Sequence, residues 1–203
     1  RDQNRAESHI RYDVDMNFRA VTLVKNEQGC DDITILTFDR KINIQADEPF
    51  IEAEVLTALI ERLTALKESG RSFVMGSCYN AVNAEAAEDP NLVKVIMDAE
   101  HNAIYFSRSQ IPYNRSGAAT YFGHIGIYGF TKRSLKEFCS LDDAPIEDIE
   151  KLEQLRAIYY GKKISMVKVS STGFGIDTKE DLERAANFIG KVIQGKRVTV
   201  QIS

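Results

Sequence analysis

The chain has 203 residues, of which 43% are hydrophobic and 28% charged, a length and composition typical of one globular domain. Its formal net charge of −4 excludes a polyanion partner held by bulk attraction, so we expect no nucleic acid ligand. No apolar run approaches the ~20 residues of a membrane span and no signal peptide is recognisable, so we expect no membrane partner.

The first half of the chain predicts short strands around one helix. Two strands, at 18–24 and 32–38, flank a polar turn, and the alternating run INIQ predicts a third strand at 42–45. A helix is predicted over 52–69, because apolar residues recur at helical spacing and Gly70 can end it. Four further strands are predicted at 72–79, 93–98, 103–109 and 124–130.

The second half predicts two long helices around another strand. The first helix spans 142–161, with Pro145 near its first turn and one apolar stripe. A strand follows at 163–170, then a final helix at 177–195 and an edge strand at 198–203. Because strands and helices alternate without repeats or low-complexity linkers, the sequence predicts an α/β fold in three layers.

A polar group follows the third strand, where Gln45 and Asp47 precede Pro49. Proline cannot continue a β-ladder, and ligands of α/β sheets bind beyond the carboxyl ends of strands. A carboxylate at such an end suits Mg²⁺, which takes oxygen ligands and usually binds substrate phosphates, although a charged turn explains the same residues. Asp177 also follows a strand, after the turn STGFG, and could share that metal or simply cap the final helix.

Six motifs occur in a fixed order along the chain. They are QADEP (45–49), DPNLVKVIMD (89–98), YFSRSQIP (105–112), GHIGIYGF (123–130), IEKLEQLR (149–156) and GIDTKEDLE (175–183). The series resembles the motifs of the 3-deoxy-manno-octulosonate cytidylyltransferases (CMP-Kdo synthetases), over residues 42 to about 188. Each motif is a weak signal by itself, but the series is specific.

This resemblance implies a three-layer nucleotidyltransferase fold with a mixed sheet, similar to the nucleotide-diphospho-sugar transferases. The core would span 42–190, between an unmatched segment 1–41 and a tail 191–203. The implied enzyme is Mg²⁺-dependent and forms CMP-Kdo and pyrophosphate from CTP and Kdo, an acidic sugar of lipopolysaccharide. It would be a cytoplasmic homodimer, and the three widely spaced cysteines, which form no metal motif, agree with a reducing compartment.

The same resemblance assigns the site residues. Asp47 and Asp177 would be the catalytic Mg²⁺ ligands. The sugar would be bound by Gln45, Arg108, His124, Tyr128, Glu153 and Gln154. Arg108 offers a planar fork that matches a carboxylate, although a surface arginine is the alternative. His124 and Tyr128 are four residues apart on one strand and therefore share a face, although a histidine on an apolar strand is usually a core residue.

The sequence departs from the family pattern at its start. The basic loop that holds the CTP phosphates in the family is not recognisable in residues 1–41, and the chain begins with Arg1 rather than Met. We expect that the loop lies upstream, or that this member has diverged and lost CTP binding, and the missing methionine favours the first. Ala46 also replaces a glycine of the family motif. Two other hypotheses stay open: a non-catalytic member that keeps sugar binding and dimerisation, and a cytidylyltransferase for another acidic sugar.

Overall fold

The structure is a computed structural model that describes residues 20–25, 31–36, 40–44 and 51–170, with helical positions 179, 183 and 186. The strands of this part are β1 Ala20–Lys25, β2 Asp31–Leu36, β3 Arg40–Ile44, β4 Met75–Val82, β5 Lys94–Met97, β6 Ala103–Ser107, β7 Tyr121–Thr131 and β8 Ile164–Lys168. Its α-helices are α1 Ala53–Glu68, α2 Lys132–Cys139, α3 Pro145–Glu150 and α4 Leu155–Tyr159.

The described strands form one mixed sheet in the order β1-β2-β3-β7-β4-β8, with β5 and β6 attached beside β7. Strand β7 is antiparallel to both β3 and β4, whereas β4 and β8 are parallel. Strands β3, β4 and β8 therefore run in the same direction and end at the same edge of the sheet. This confirms the predicted α/β fold with a mixed sheet.

Helix α1 covers one face of the sheet. Its apolar positions recur at helical spacing, as the sequence predicts, and Leu59 and Leu63 among them are fully buried. These two leucines pack on Gly76 of β4 and Gly129 of β7, which lie opposite each other in the ladder. A methyl group on Gly76 or Gly129 would lie only 2.7 or 2.5 Å from a Leu63 carbon. The helix therefore rests directly on bare strand backbone.

Helices α2 to α4 and the β5–β6 hairpin cover the opposite face. A second core cluster lies there and includes Tyr79, Phe106, Tyr128, Leu155 and Met166. The hairpin crosses this face of the sheet from side to side. Strand β5 pairs with the edge of β7 at Gly123, and Asn102 in the hairpin turn bridges to Ser165 on the far edge of β8.

Two helical predictions need correction. The region 142–161, predicted as one helix, forms α3 and α4 with a break at Lys151, whose φ of 54° is left-handed. Helix α2 was not predicted, because it has eight residues and buries only Ser134. Its start is defined by a reciprocal cap: the Ser134 N–H donates to Thr131 Oγ1, and the Thr131 N–H donates to Ser134 Oγ.

The strand boundaries differ from the predictions by a few residues. Strand β6 ends at Ser107, so Arg108 follows the strand instead of lying within it. The final predicted helix, 177–195, is described only at three helical positions, and the predicted edge strand 198–203 lies outside the described residues. Within the part of the chain that the structure describes, no helix is both long and apolar enough to cross a bilayer.

Candidate functional site

Strand β7 changes its neighbour partway along its length. Residues Ile127–Thr131 pair with β3, whereas Gly123 on the same edge pairs with β5. Between these pairings the N–H of His124 donates to the carbonyl of Val93 at 2.8 Å. The carboxyl end of β3, at Ile44 opposite Ile127, meets this gap, and ligands of α/β sheets bind beyond the carboxyl ends of strands. We therefore place the candidate site around 124–128, on the face opposite α1.

The side chain of His124 is buried on that face, with 8% of its surface exposed. Its Nε2 lies 2.8 Å from Ser77 Oγ, and the Ser77 hydroxyl also lies 2.8 Å from the carbonyl of Ile127. A carbonyl can only accept, so the serine donates its one proton there and the histidine Nε2–H donates to the serine. Burial lowers the pKa of His124 to about 3. The ring is therefore neutral, with Nδ1 as its acceptor atom.

Tyr128 lies beside His124, as the four-residue spacing predicts. The two ring centroids are 5.5 Å apart, and the Phe106 ring meets His124 edge to face at 5.0 Å. Tyr128 is opposite Asn43 on β3 and opposite Ser77 on β4. The prediction that His124 and Tyr128 share a face is thus confirmed. His124 is a buried residue whose ring is hydrogen-bonded to Ser77.

Arg108 follows β6 directly and is held by backbone carbonyls. Its Nε donates to the carbonyl of Glu150 at 2.9 Å, and its Nη1 donates to the carbonyl of Pro90 at 3.1 Å. Within the described part of the chain, its guanidinium forms no ion pair with a carboxylate. A guanidinium has five N–H donors, and two of those of Arg108 bond to these carbonyls. Among the described residues, its positive charge is therefore positioned but not neutralised by a direct partner.

A buried lysine and a glutamate surround Arg108, and sequence reasoning missed both. Lys94 is fully buried, and its Nζ donates to the carbonyls of Asp89 and Arg108 at 2.7 and 2.6 Å. The Glu150 carboxylate accepts from Ser107 Oγ at 2.7 Å and from the Arg108 N–H at 2.9 Å. Burial lowers the pKa of Lys94. A lysine inside the apolar run VKVIM was the one sequence signal for this network.

Glu153 and Gln154 follow the break between α3 and α4 and differ in burial. The left-handed Lys151 turns the chain, and the Leu152 N–H donates back to the Glu147 carbonyl at 3.1 Å. Gln154 is then buried, with 3% of its surface exposed, whereas Glu153 is exposed. Among the described residues, Nε2 of Gln154 has no hydrogen-bond partner. A buried, unpaired donor costs about 1–3 kcal/mol, which a bound acceptor would recover.

Three predicted site residues, Gln45, Asp47 and Asp177, lie outside the described residues. The described strands that precede them do bear on the metal prediction. Strands β3 and β8 end at Ile44 and Lys168 on the same edge, about 14 Å apart if each strand interval is ~4.8 Å. Across the described ranges no cluster of three or more potential metal ligands occurs. Mg²⁺ takes oxygen ligands, and the prediction that Asp47 and Asp177 hold it concerns residues outside the described ranges.

Comparison with known proteins gives one consistent result. A family model described as Cytidylyltransferase matches residues 19–164. The 3-deoxy-manno-octulosonate cytidylyltransferase of Nitratiruptor sp. is 48% identical over 175 residues, which cover 82% of this chain and 73% of that protein. Proteins with the same name from Wolinella succinogenes and Helicobacter pylori are 47% and 50% identical, covering 73% and 72% of this chain. The matched regions cover 63% and 60% of those two proteins.

A solved structure supports the same comparison. It is a CMP:2-keto-3-deoxy-manno-octonic acid synthetase complexed with CTP, which matches this chain with a TM-score of 0.68 at 33% identity. The match covers 77% of this chain and 64% of that one. The chain thus spans roughly two thirds of the length of these relatives.

Proposed function

The chain belongs to the 3-deoxy-manno-octulosonate cytidylyltransferase family, and on that basis we propose that the protein transfers CMP from CTP to Kdo with release of pyrophosphate. The observation that carries this proposal is Arg108, a cation held by two neutral carbonyls. Such a cation fits the carboxylate of an acidic sugar. The buried His124 offers a neutral acceptor for a sugar hydroxyl, and the buried Gln154 offers a donor that has no partner among the described residues.

Each predicted sugar-binding residue has a role in this proposal. The guanidinium of Arg108 binds the Kdo carboxylate through its remaining N–H groups. Nδ1 of His124 accepts from a hydroxyl and Nε2 of Gln154 donates to one, while Tyr128 lies beside His124. The exposed carboxylate of Glu153 accepts from a further hydroxyl, and Gln45 belongs to the segment that follows β3. These contacts orient the anomeric hydroxyl toward the α-phosphorus of CTP for in-line attack.

We assign Asp47 and Asp177 as the residues that would hold Mg²⁺. When bound, Mg²⁺ would neutralise phosphate charge and reduce the repulsion between the anionic sugar and the triphosphate. The common edge of β3 and β8 supports this assignment, because both aspartates follow strands that end there. From family membership we also propose that the protein works as a cytoplasmic homodimer and supplies CMP-Kdo for lipopolysaccharide.

The function is tested by measuring pyrophosphate release from the full-length protein with CTP, Kdo and Mg²⁺, omitting each in turn. Release should require all three. Arg108→Lys should weaken Kdo binding by about 1.5–3 kcal/mol and leave CTP binding almost unchanged, because a point charge replaces a planar fork. Arg133→Lys, at an exposed position on α2, is the matched control and should change neither affinity. Calorimetry that shows equal weakening for both ligands in Arg108→Lys would rule out the sugar contact.

The metal assignment is tested separately. Asp47→Asn and Asp177→Asn should each abolish Mg²⁺-dependent pyrophosphate release while thermal unfolding stays cooperative, because each removes one ligand charge. Asp148→Asn, at an exposed position on α3, is the control and should retain activity. Near-normal rates at limiting Mg²⁺ in either aspartate variant would contradict the assignment.

A further inference from the structure

Arg108 is placed at a point where the sheet no longer holds the backbone. Strand β6 ends at Ser107, so the ladder does not fix the peptide of Arg108. A long side chain loses rotamer freedom when it is fixed in one geometry. Groups outside the strand must therefore set the position of the guanidinium before the sugar arrives.

Glu150 supplies one set of these groups through its side chain. Its Oε2 accepts from the Arg108 N–H, and its Oε1 accepts from the Ser107 hydroxyl. The same hydroxyl oxygen accepts from the N–H of Ser109 at 3.0 Å. The Glu150 carboxylate thereby fixes the turn 107–109. It bonds to the backbone N–H of Arg108 and not to its guanidinium.

The main chain of Glu150 holds the guanidinium itself. Glu150 is the last residue of α3, where helical carbonyls lack intrahelical partners. The left-handed Lys151 turns the chain away, and Arg108 Nε donates to the Glu150 carbonyl at 2.9 Å. A neutral carbonyl orients the arginine without cancelling its charge.

Lys94 holds the other side of the same arrangement. Its buried Nζ joins the carbonyls of Arg108 and Asp89, and the next carbonyl, that of Pro90, accepts from Arg108 Nη1. The lysine thus fixes the distance between the segment 89–90 and the backbone of Arg108. Its own charge faces Arg108, Asp89 and Glu150, and in the described part of the chain it forms no direct ion pair.

We propose that Glu150 and Lys94 are positioning residues that set Arg108 for the carboxylate of the acidic sugar, an inference that rests on the function proposed above. Glu150 fixes the turn 107–109 and the guanidinium. Lys94 fixes the segment 89–90, whose Pro90 carbonyl accepts from the guanidinium. Neither residue needs to touch the sugar. They determine affinity for the sugar rather than for the nucleotide.

The test uses the full-length protein and two independent measurements. The first is KM for Kdo and for CTP in Glu150→Ala, Glu150→Gln and Lys94→Met. The second is the NMR resonance of the Arg108 Nε–H without substrate, identified by its loss in Arg108→Lys. Glu150→Ala should raise the KM for Kdo about tenfold or more, the size expected for a lost hydrogen bond to a charged group, with kcat and the KM for CTP little changed. Glu150→Gln should have a smaller effect, because its amide oxygen still accepts one bond.

Asp148→Ala is the matched control, since it removes a carboxylate from the same helix at a side chain that is 76% exposed. It should change neither KM nor the Arg108 resonance. In Glu150→Ala and Lys94→Met the Nε–H should exchange faster with water than in the wild type. An unchanged resonance in both variants overturns the positioning role, whatever happens to KM. A changed resonance in a protein whose wild type does not bind Kdo would instead refute the proposed function and leave the positioning intact.

Discussion

Replacing His124 by glutamine tests the protonation state of a buried titratable group in the described site. In the folded protein burial lowers the pKa of this histidine to about 3, against an ordinary value near 6.5. Between these two values the unfolded chain binds a proton at His124 and the folded protein does not. The unfolding free energy is therefore not reduced by this group well above pH 6.5, and it decreases as the pH falls from 6.5 toward 3.

The size of the effect follows from the pKa shift. Each pH unit inside the window costs up to about 1.4 kcal/mol of unfolding free energy. Integrated from pH 7.5 to pH 5.0, the loss is about 2 kcal/mol for the wild type. In this range most carboxylates remain ionised in both states, so the histidine dominates the difference between wild type and variant. His124→Gln can keep the donor to Ser77 and should lack this pH dependence.

Urea unfolding at a series of pH values between 7.5 and 5.0 measures the effect. The unfolding free energy of the wild type minus that of His124→Gln should fall by about 2 kcal/mol across the series. Ile127→Val is the control, because it removes a buried methyl from the same strand and adds no titratable group. It should lower stability equally at every pH. A difference between wild type and His124→Gln that stays constant with pH would refute the buried neutral histidine.

Two further predictions concern the backbone. Gly129→Ala should lower the unfolding free energy by about 1–3 kcal/mol, because its methyl group would lie 2.5 Å from a carbon of Leu63. In a double-mutant cycle Leu63→Ala should remove most of that extra cost, and strictly additive effects in urea unfolding would contradict the contact. Lys151→Gly should raise thermal stability by up to about 1 kcal/mol, since φ is 54° there, whereas Lys151→Val should lower it. Equal melting temperatures for the two Lys151 variants would argue against the left-handed break.

Much of the sheet could be predicted because its strands carry local signals. The alternation in INI and the apolar run of β7 mark strands whichever partners they find. The break at Lys151 had no such signal: the segment DIEKLEQL contains neither glycine nor proline, and its helical period continues through the break. Tertiary bonds from Glu150 to Ser107 and Arg108 stabilise the broken form, and they join residues about 40 positions apart.

The site shows the same division. The family motifs predict Arg108, His124 and Gln154 as site residues, and spacing alone predicts that His124 lies beside Tyr128, as the structure shows. The importance of Lys94 could not be predicted, because its partners are backbone carbonyls that the chain brings together only on folding. The burial of Gln154, whose Nε2 has no partner among the described residues, is equally invisible in the sequence, because its neighbour Glu153 is also polar and is exposed.

The hairpin that crosses the sheet also constrains the order in which the protein assembles. Strand β5 joins β7 about 30 residues later in the chain, and Asn102 joins Ser165 about 60 residues later. Contacts between such distant residues form only after the entropy of closing long loops has been overcome, and they slow folding. The hairpin can therefore complete its contacts across this face only once β8 is in place. The packing of α1 on its glycine pair joins Leu63 to Gly129, also about 65 residues later, so both faces of the sheet depend on contacts of similar sequence separation.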